Sequence, residues 1–469
     1  MSIPRFIPLA LFAGALILAG CQATDAPPVD QPDTLVTVDG NSVLRTITPG
    51  LIFGANLGAW VPETKLGTTT RALLRALRPS VARFPGGNIS NNFCWVEQLV
   101  SDNDHLVWND WSWGTDVDEY IAFIKAVDCV PMFSLNPFDH TIDGEPHSAA
   151  DEAAELAGLF VAEGFSGAYY EVGNENDGSW NPMLTVNEYA DRFILLARAV
   201  KTVDPSARMM GPVGSGTSDW IDGFLDRLTF LGATGFLDWI SFHRYGGWIS
   251  NSNANGIDLD DPQEYADDLA AIRASLDSRG LGRVKIAVTE INAAIWDTGC
   301  ARDQFTIKQG LWLADALGVS LLGADAANVW IHLHPGTDPH ALIDSEAAPP
   351  AITKNYWPVA LPAQTLSSAD PAAPVEVLAV IRELGDSAMT VYAARKADGS
   401  LGVLLINKSN RAYDVGINLP AIPQGVTGRR IGPAEYAAAS GPATVATTTS
   451  LRRVTATVPA TSIVGLEIR

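Results

Sequence analysis

YYEVGNENDG (Tyr169–Gly178) and KIAVTEIN (Lys285–Asn292) are the two stretches that decide how this chain folds. Each is a short apolar run that carries a carboxylate at its end, Glu175 in the first and Glu290 in the second. Runs of this length, rich in aromatic or β-branched residues, read as strands buried on both faces, the signature of parallel pairing. A (β/α)8 barrel gathers its functional side chains at the C-terminal ends of such strands, so both glutamates are expected at one mouth.

Working outward, βα alternation begins at residue 51. The predicted strands are Ile52–Leu57, Val81–Pro85, Val130–Asn136, Tyr169–Glu175, Arg208–Val213, Trp239–Tyr245, Lys285–Glu290 and Ala326–Leu333. Helices are predicted over 67–77, 115–127, 149–163, 186–203, 218–231, 262–279 and 303–318, with apolar residues at helical spacing, as in Tyr120, Phe123, Ile124 and Val127. This alternation fits a (β/α)8 TIM barrel over 49–345 better than an open sheet. Residues 346–371 form a Pro/Ala-rich connecting segment, in which Pro358 and Pro362 are expected to shorten or break the eighth helix. From 372 to 469 short alternating runs replace the helices (AMTVYAAR, LGVLLINK, YDVGINL, SIVGLEI) and read as a C-terminal β-sandwich. The alternating stretch 34–48 is expected to supply it with further strands.

The first twenty residues read as an export signal. Arg5 is their only charge, Phe6–Ala19 is apolar and too short to be a comfortable membrane span, and Leu18-Ala19-Gly20-Cys21 resembles a bacterial lipobox. That resemblance implies cleavage before Cys21, lipidation of its thiol and anchoring of a soluble body to the cell envelope. Gln22 after the cysteine resembles an outer-membrane sorting signal, and residues 21–33 read as a linker. An ordinary secretory signal is the alternative. Deleting Arg5 moves the formal charge from −22 to −23. An acidic surface of that size argues against nucleic acid and polyanions as partners. Oligomeric state has no signature here.

Cys94, Cys129 and Cys300 remain. Cys129 is expected at the bottom of the barrel, with Cys94 and Cys300 on loops at the top, where only those two are placed to pair. Buried free thiols are the simpler reading. No Cys/His spacing resembles a metal site, and no cofactor is expected.

The two glutamates have a specific chemistry open to them. Breaking a glycosidic bond requires a proton on the leaving oxygen, which a carboxylic acid supplies, and a second carboxylate to attack the anomeric carbon. Glu175 is the candidate acid/base and Glu290 the candidate nucleophile, three βα units away and across the mouth. Glu171 shares Glu175's strand and reads as a structural carboxylate lower in the barrel. Asn174 offers an amide to the sugar hydroxyl beside the anomeric carbon. Arg83, inside an apolar strand, needs buried carboxylates as partners and reads equally as a substrate contact or a structural ion pair. Gly86 and Gly87 let the following loop approach a ligand, with Asn88 facing the mouth. His243 and Tyr245 alternate onto one face of strand six, and His332 and His334 onto one face of strand eight.

Tryptophans suit the apolar face of a sugar ring. Trp95, Trp108, Trp111 and Trp113 follow strand two, while Trp180, Trp248, Trp296 and Trp330 fall near the ends of strands four, six, seven and eight. At least two of the eight are expected to line a subsite, with Trp180, Trp296 and Trp330 as the candidates.

RFPGGN (Arg83–Asn88), GTDVDEYIAFIKAVDCVPMFSLN (Gly114–Asn136), GNENDGSW (Gly173–Trp180) and SFHRYGG (Ser241–Gly247) resemble the clan A glycoside hydrolases, and within them the family 51 α-L-arabinofuranosidases. The resemblance covers residues 50–335. It implies a retaining hydrolase with Glu175 as acid/base and Glu290 as nucleophile, Asn174, Asn88 and Tyr245 on the glycone, and Tyr245 hydrogen-bonded to the nucleophile. The context Thr289-Glu290-Ile291-Asn292 departs from the Asp-Glu-Trp usual in family 51 and is closer to families 39 and 79, which include xylosidases and glucuronidases. An endo-acting hydrolase and a non-catalytic glycan-binding surface lipoprotein are the alternatives.

Overall fold

The computed structural model describes residues 32–216, 219–247, 256–294, 301–383 and 388–469. Cys21, Trp248, Trp296 and Cys300 lie outside them. Eight parallel strands close into a barrel: β1 (Gly54–Asn56), β2 (Val81–Phe84), β3 (Val130–Leu135), β4 (Tyr169–Val172), β5 (Arg208–Gly214), β6 (Trp239–Gly246), β7 (Lys285–Ala293) and β8 (Ala326–Val329). Helices α1 (Thr68–Ala76), α2 (Val117–Ala126), α3 (Ala149–Ala162), α4 (Val186–Val203), α5 (Asp219–Phe230), α6 (Asp261–Ser278), α7 (Ile307–Gly323) and α8 (Tyr356–Leu366) follow the strands in turn.

Local sequence explains where these helices start. Asp116 and Glu119 form a reciprocal capping box at α2, and Thr185 and Glu188 form another at α4. Each satisfies amide groups that the first helical turn leaves open. The apolar stripe Tyr189, Phe193, Leu196 and Val200 is the buried face of α4.

The barrel interior is stacked in layers. Val81, Met132, Tyr169, Met210, Trp239, Ala287 and Ala326 form an apolar cluster that plugs the N-terminal end. Two residues further along come Arg83, Ser134, Glu171, Ser241, Thr289 and Asn328, all fully buried, together with Asn56 from β1. Buried polar groups need partners. Asn56 donates to the Thr289 carbonyl at 2.9 Å, Asn328 to the Ala55 carbonyl at 2.9 Å, and Ser134 to Glu171 at 3.0 Å. The mouth lies above this polar layer.

Several strand boundaries differ from expectation. β1 starts at Gly54, because Pro49–Ile52 form a helical turn. β4 stops at Val172, because Gly173 has φ 71° and turns the chain off the sheet. β8 stops at Val329, so His332 and His334 do not share its face. His332 is fully buried, and His334 belongs to a separate two-residue strand, Leu333–His334. α8 is an unbroken helix of 11 residues despite both prolines. Pro358 sits in the first turn, where a missing N–H costs nothing, and only Pro362 lies inside.

Strand Thr34–Ile47 pairs with both Val375–Arg382 and Tyr413–Asn418. It sits inside a ten-stranded, mostly antiparallel sheet that makes the β-sandwich and encloses a second core around Val36, Val403, Val415 and Val464. The sandwich is fastened to the barrel through Asp315 of α7. Tyr392 donates to its side chain at 2.7 Å, Thr390 at 2.6 Å and Lys408 at 2.9 Å. Among the described residues no helix is long and apolar enough to cross a membrane.

Candidate active site

Gly173 does more than end β4. A Cβ there would meet Asn176 Oδ1 at 2.2 Å, so this turn requires glycine. The turn carries Asn174 and then Glu175, whose own φ is 45°, a strained value for a side-chain-bearing residue. Asn91 holds the turn in place. Its Oδ1 accepts from the Asn174 amide at 3.0 Å and from Asn176 Nδ2 at 3.1 Å, and its Nδ2 donates to the Asn174 carbonyl at 2.6 Å. Glu290 is aimed differently. It lies within β7, beside a register shift between Phe242 and His243 that leaves His243 paired with Glu290. Such a bulge re-aims side chains at a barrel rim.

These elements bring Glu175, His243 and Glu290 together, with one donor atom from each lying within 4.8 Å of the other two. A carboxylate oxygen of Glu175 is thus within 4.8 Å of one of Glu290. Arg83 sits below, fully buried, and organises the cluster. Its Nε donates to Glu171 at 2.6 Å, Nη1 to Glu290 at 2.8 Å and Asn56 at 3.2 Å, and Nη2 to Asn174 at 2.8 Å. Arg83 lines no part of the cavity and every nitrogen is committed to the protein, which favours the structural ion pair over substrate contact among its two readings. Tyr245 donates to the other oxygen of Glu290 at 2.5 Å.

Charge states follow from these contacts. Burial alone pushes the Glu171 carboxyl up, but Arg83 and His243 carry it below the usual range, so it is ionised. Burial also acts against ionised Glu175. The hydrogen bond and charge of His243, and the indole N–H of Trp180 at 2.6 Å, outweigh it and lower the carboxyl. His243 shows the converse: burial disfavours its charge, while Glu290 and Glu175 raise it. The two carboxylates thus favour a protonated His243, 2.7 Å from Glu175 Oε1. Burial lowers His332 to about 3, leaving a neutral ring beneath the mouth.

Above the cluster opens a cavity of about 900 Å³, lined by Trp60, Asn88, Trp180, Ser215, Tyr245 and Trp330 together with the two glutamates, His334 and Asp338. Trp180 and Trp330 stand where sugar-stacking residues were expected. Asn88 accepts from Asn174 at 3.2 Å and from Asn181 at 3.0 Å, which orients its side chain at the wall. Gly87, at φ 57°, is pressed against Trp330, which a Cβ would touch at 2.7 Å. The cluster Trp95, Trp108, Trp111 and Trp113 does not line this cavity. Trp95 and Trp111 pack on the core instead, and Trp108 lies tilted against His140. Trp60 was not anticipated. It follows β1, a run too short to announce its loop, and its ring lies 6.1 Å from that of Trp330.

Glu175, His243 and Glu290 also have the donor types of a metal site, but the Arg83 guanidinium already neutralises Glu290 and would repel a second cation. Cys94 and Cys129 are buried free thiols.

No family model matches the chain. It is 26% identical over 214 residues to an intracellular exo-α-(1→5)-L-arabinofuranosidase of Acetivibrio thermocellus, covering 40% of this chain and 41% of that protein. It is 25% identical over 279 residues to a probable α-L-arabinofuranosidase C of Aspergillus clavatus, covering 53% and 54% respectively. The chain thus spans about half, or less, of the length of these relatives. Among solved structures, the arabinose complex of the Thermotoga maritima α-L-arabinofuranosidase superimposes with a TM-score of 0.72 at 17% identity, covering 92% of this chain and 99% of that one. A Paenibacillus polymyxa family 44 xyloglucanase superimposes with a TM-score of 0.67 at 16% identity, covering 93% and 99%. In partial sequence and in whole fold, this chain is similar to the clan A glycoside hydrolases, the family 51 α-L-arabinofuranosidases among them.

Proposed function

We propose that this chain is a retaining glycoside hydrolase of the α-L-arabinofuranosidase type. The observation that carries the reading is the separation of Glu175 and Glu290, whose nearest oxygens lie within 4.8 Å of each other at the floor of one cavity. Retaining enzymes hold their carboxyls about 5–5.5 Å apart, whereas inverting enzymes need about 6.5–9.5 Å to admit a water between them.

In the first step Glu290 attacks the anomeric carbon while Glu175 protonates the departing oxygen. His243, 2.7 Å from Glu175 Oε1, is placed to hand it that proton. Arg83 and Tyr245 hold the two oxygens of Glu290 and fix the direction of attack. In the second step Glu175, now a base, takes a proton from water. The water attacks the anomeric carbon, and the Glu290–sugar ester breaks. Asn88, oriented by Asn174 and Asn181, presents its amide to the glycone, and Trp330 and Trp180 offer ring faces to the sugar. No cofactor is required.

The breadth of the cavity supports a second reading, an endo-acting hydrolase that takes an oligosaccharide across the mouth. A β-glucuronide fits less well, because no Lys or Arg among the described residues lines the cavity to receive its carboxylate, whereas Asp338 does line it. We further propose that the chain is exported and lipid-anchored through Cys21, which incorporation of labelled fatty acid into wild type and not into Cys21→Ala would test.

Hydrolysis of aryl glycosides by a residue 22–469 protein tests the activity. The panel is α-L-arabinofuranoside, β-xyloside, β-glucoside, β-galactoside and β-glucuronide. Release of the arabinofuranoside is expected, falling by about 10²–10⁴-fold or more in Glu175→Ala and in Glu290→Ala. Wild-type turnover in the Glu290 variant would end the proposal. Silence across the panel with cleavage of a polysaccharide would favour the endo reading, and glycan binding without cleavage would mark a binding protein.

A further inference from the structure

Away from the cavity, three segments converge on a second cluster. Cys94 comes from the short strand Phe93–Cys94 after β2, His140 and His147 from the hairpin His140–Ile142/Glu145–His147 after β3, and Glu152 from the first turn of α3. His140 and His147 are directly paired across the hairpin, and their rings stack 8° from parallel. One donor atom from each of the four residues lies within 4.8 Å of the other three.

Three of the separations are short. Glu152 Oε1 is 3.0 Å from His147 Nδ1, 3.4 Å from His140 Nε2 and 3.4 Å from Cys94 Sγ. Tetrahedral coordination with Zn–N and Zn–O near 2.0 Å and Zn–S near 2.3 Å places neighbouring ligand atoms about 3.3–3.7 Å apart. His140 Nδ1 faces the Phe138 carbonyl at 3.1 Å and so donates to it, which turns Nε2 into the cluster. That nitrogen is buried and makes no hydrogen bond. It faces a carboxylate 3.4 Å away, and either a proton on the ring or a metal ion between them satisfies both groups.

We propose that Cys94, His140, His147 and Glu152 form a four-coordinate structural zinc site. A thiolate, two neutral imidazoles and a carboxylate suit Zn²⁺ in ligand softness and geometry. One thiolate and one carboxylate leave the bound dication with no net charge, which suits its burial. On binding, Cys94 gives its proton to solvent as the sulfur–zinc bond forms. His147, the most exposed of the four, marks the route of entry. Trp108 lies against His140, ring centroids 4.7 Å apart and tilted by 39°, and shields the other side. All four protein ligands leave no open position, so the ion is structural rather than catalytic.

The site would staple the loops after β2 and β3 to α3. The stapled loop also carries Asn91, which buttresses Asn174 beside the active glutamate. The test uses the residue 22–469 protein, purified without reductant, exchanged into metal-free buffer and assayed for zinc by mass spectrometry. Cys94→Ser and His147→Ala are compared with wild type, and circular dichroism confirms their folding. About one zinc per wild-type chain is expected, falling well below that in both variants. Chelation should lower the wild-type Tm by several degrees, zinc(II) alone should restore it, and the Cys94→Ser protein should respond to neither. Wild type without zinc whose Tm ignores added zinc(II), equal zinc in all three proteins, or Cys94 recovered in a disulfide would each overturn the proposal.

Discussion

At the scale of single residues, Arg83 and His243 govern the site without lining its cavity. Arg83 compensates two buried carboxylates, Glu171 and Glu290, so Arg83→Leu strands both. Breaking a buried pair by removing one partner costs about 3–5 kcal/mol, and urea unfolding should register a loss of that order. His243 sets a pH window. Its folded pKa is raised, so its stabilisation is complete below the ordinary histidine value near 6.5 and is lost as pH rises through the raised value. Glu175 and Glu171 are lowered, so theirs is complete above about 4.5 and is lost as pH falls through the lowered values. The Tm should therefore be highest between those limits, and His243→Gln should flatten the alkaline side. The alkaline limb of kcat/KM should follow the same proton, because above the raised His243 value the pair has none to hand to the leaving group. Both catalytic candidates were legible in the sequence because each ends a run of barrel-strand character. Arg83's duty was half legible. An arginine in an apolar strand announces buried partners but does not say that all its nitrogens are used.

At the scale of elements, strand type and order were readable from periodicity, while the places where strands stop were not. β4 ends at Val172 because Gly173 and Glu175 take positive φ, a decision made by the turn and by Asn91 rather than by local β-propensity. Gly173→Ala puts a methyl group against Asn176 in a conformation that L-residues avoid. It should destabilise the fold by more than about 1 kcal/mol and reduce kcat far more than binding, because Glu175 moves with the turn. Trp180 and Trp330 line the cavity as expected, whereas the four tryptophans after β2 do not, for a related reason. Proximity in sequence on the loop after β2 says nothing about which way a ring points: Trp95 donates to the Glu152 carbonyl of α3, Trp108 lies against His140 of the hairpin after β3, and Trp113 is exposed. The Cys/His/Glu cluster was invisible because its ligands come from three segments and show no ligand spacing.

At the scale of the whole molecule, the sandwich covers α7 and α8 rather than hanging from the barrel. Asp315 of α7 is 1% exposed in its side chain and accepts from Tyr392, Thr390 and Lys408 of the sandwich. Asp315→Ala strands the Lys408 ammonium at a buried junction. It should lower stability by about 3–5 kcal/mol and split a single thermal transition into two, which calorimetry would resolve. Barrel and sandwich were both foreseeable from the change in hydrophobic period near residue 374. The junction was not, because aspartate on a barrel helix reads as surface until its partners are placed.

The position of strand Thr34–Ile47 inside the ten-stranded sheet has a consequence for the order of events at synthesis. Its neighbours begin at Val375 and Tyr413, so this strand waits for the entire barrel to be made before it can pair. The sandwich closes last, and the barrel is topologically an insertion within it. Trimming the chain past residue 47 would thus remove no tail; it would cut the sheet in two and leave two fresh edges open to aggregation.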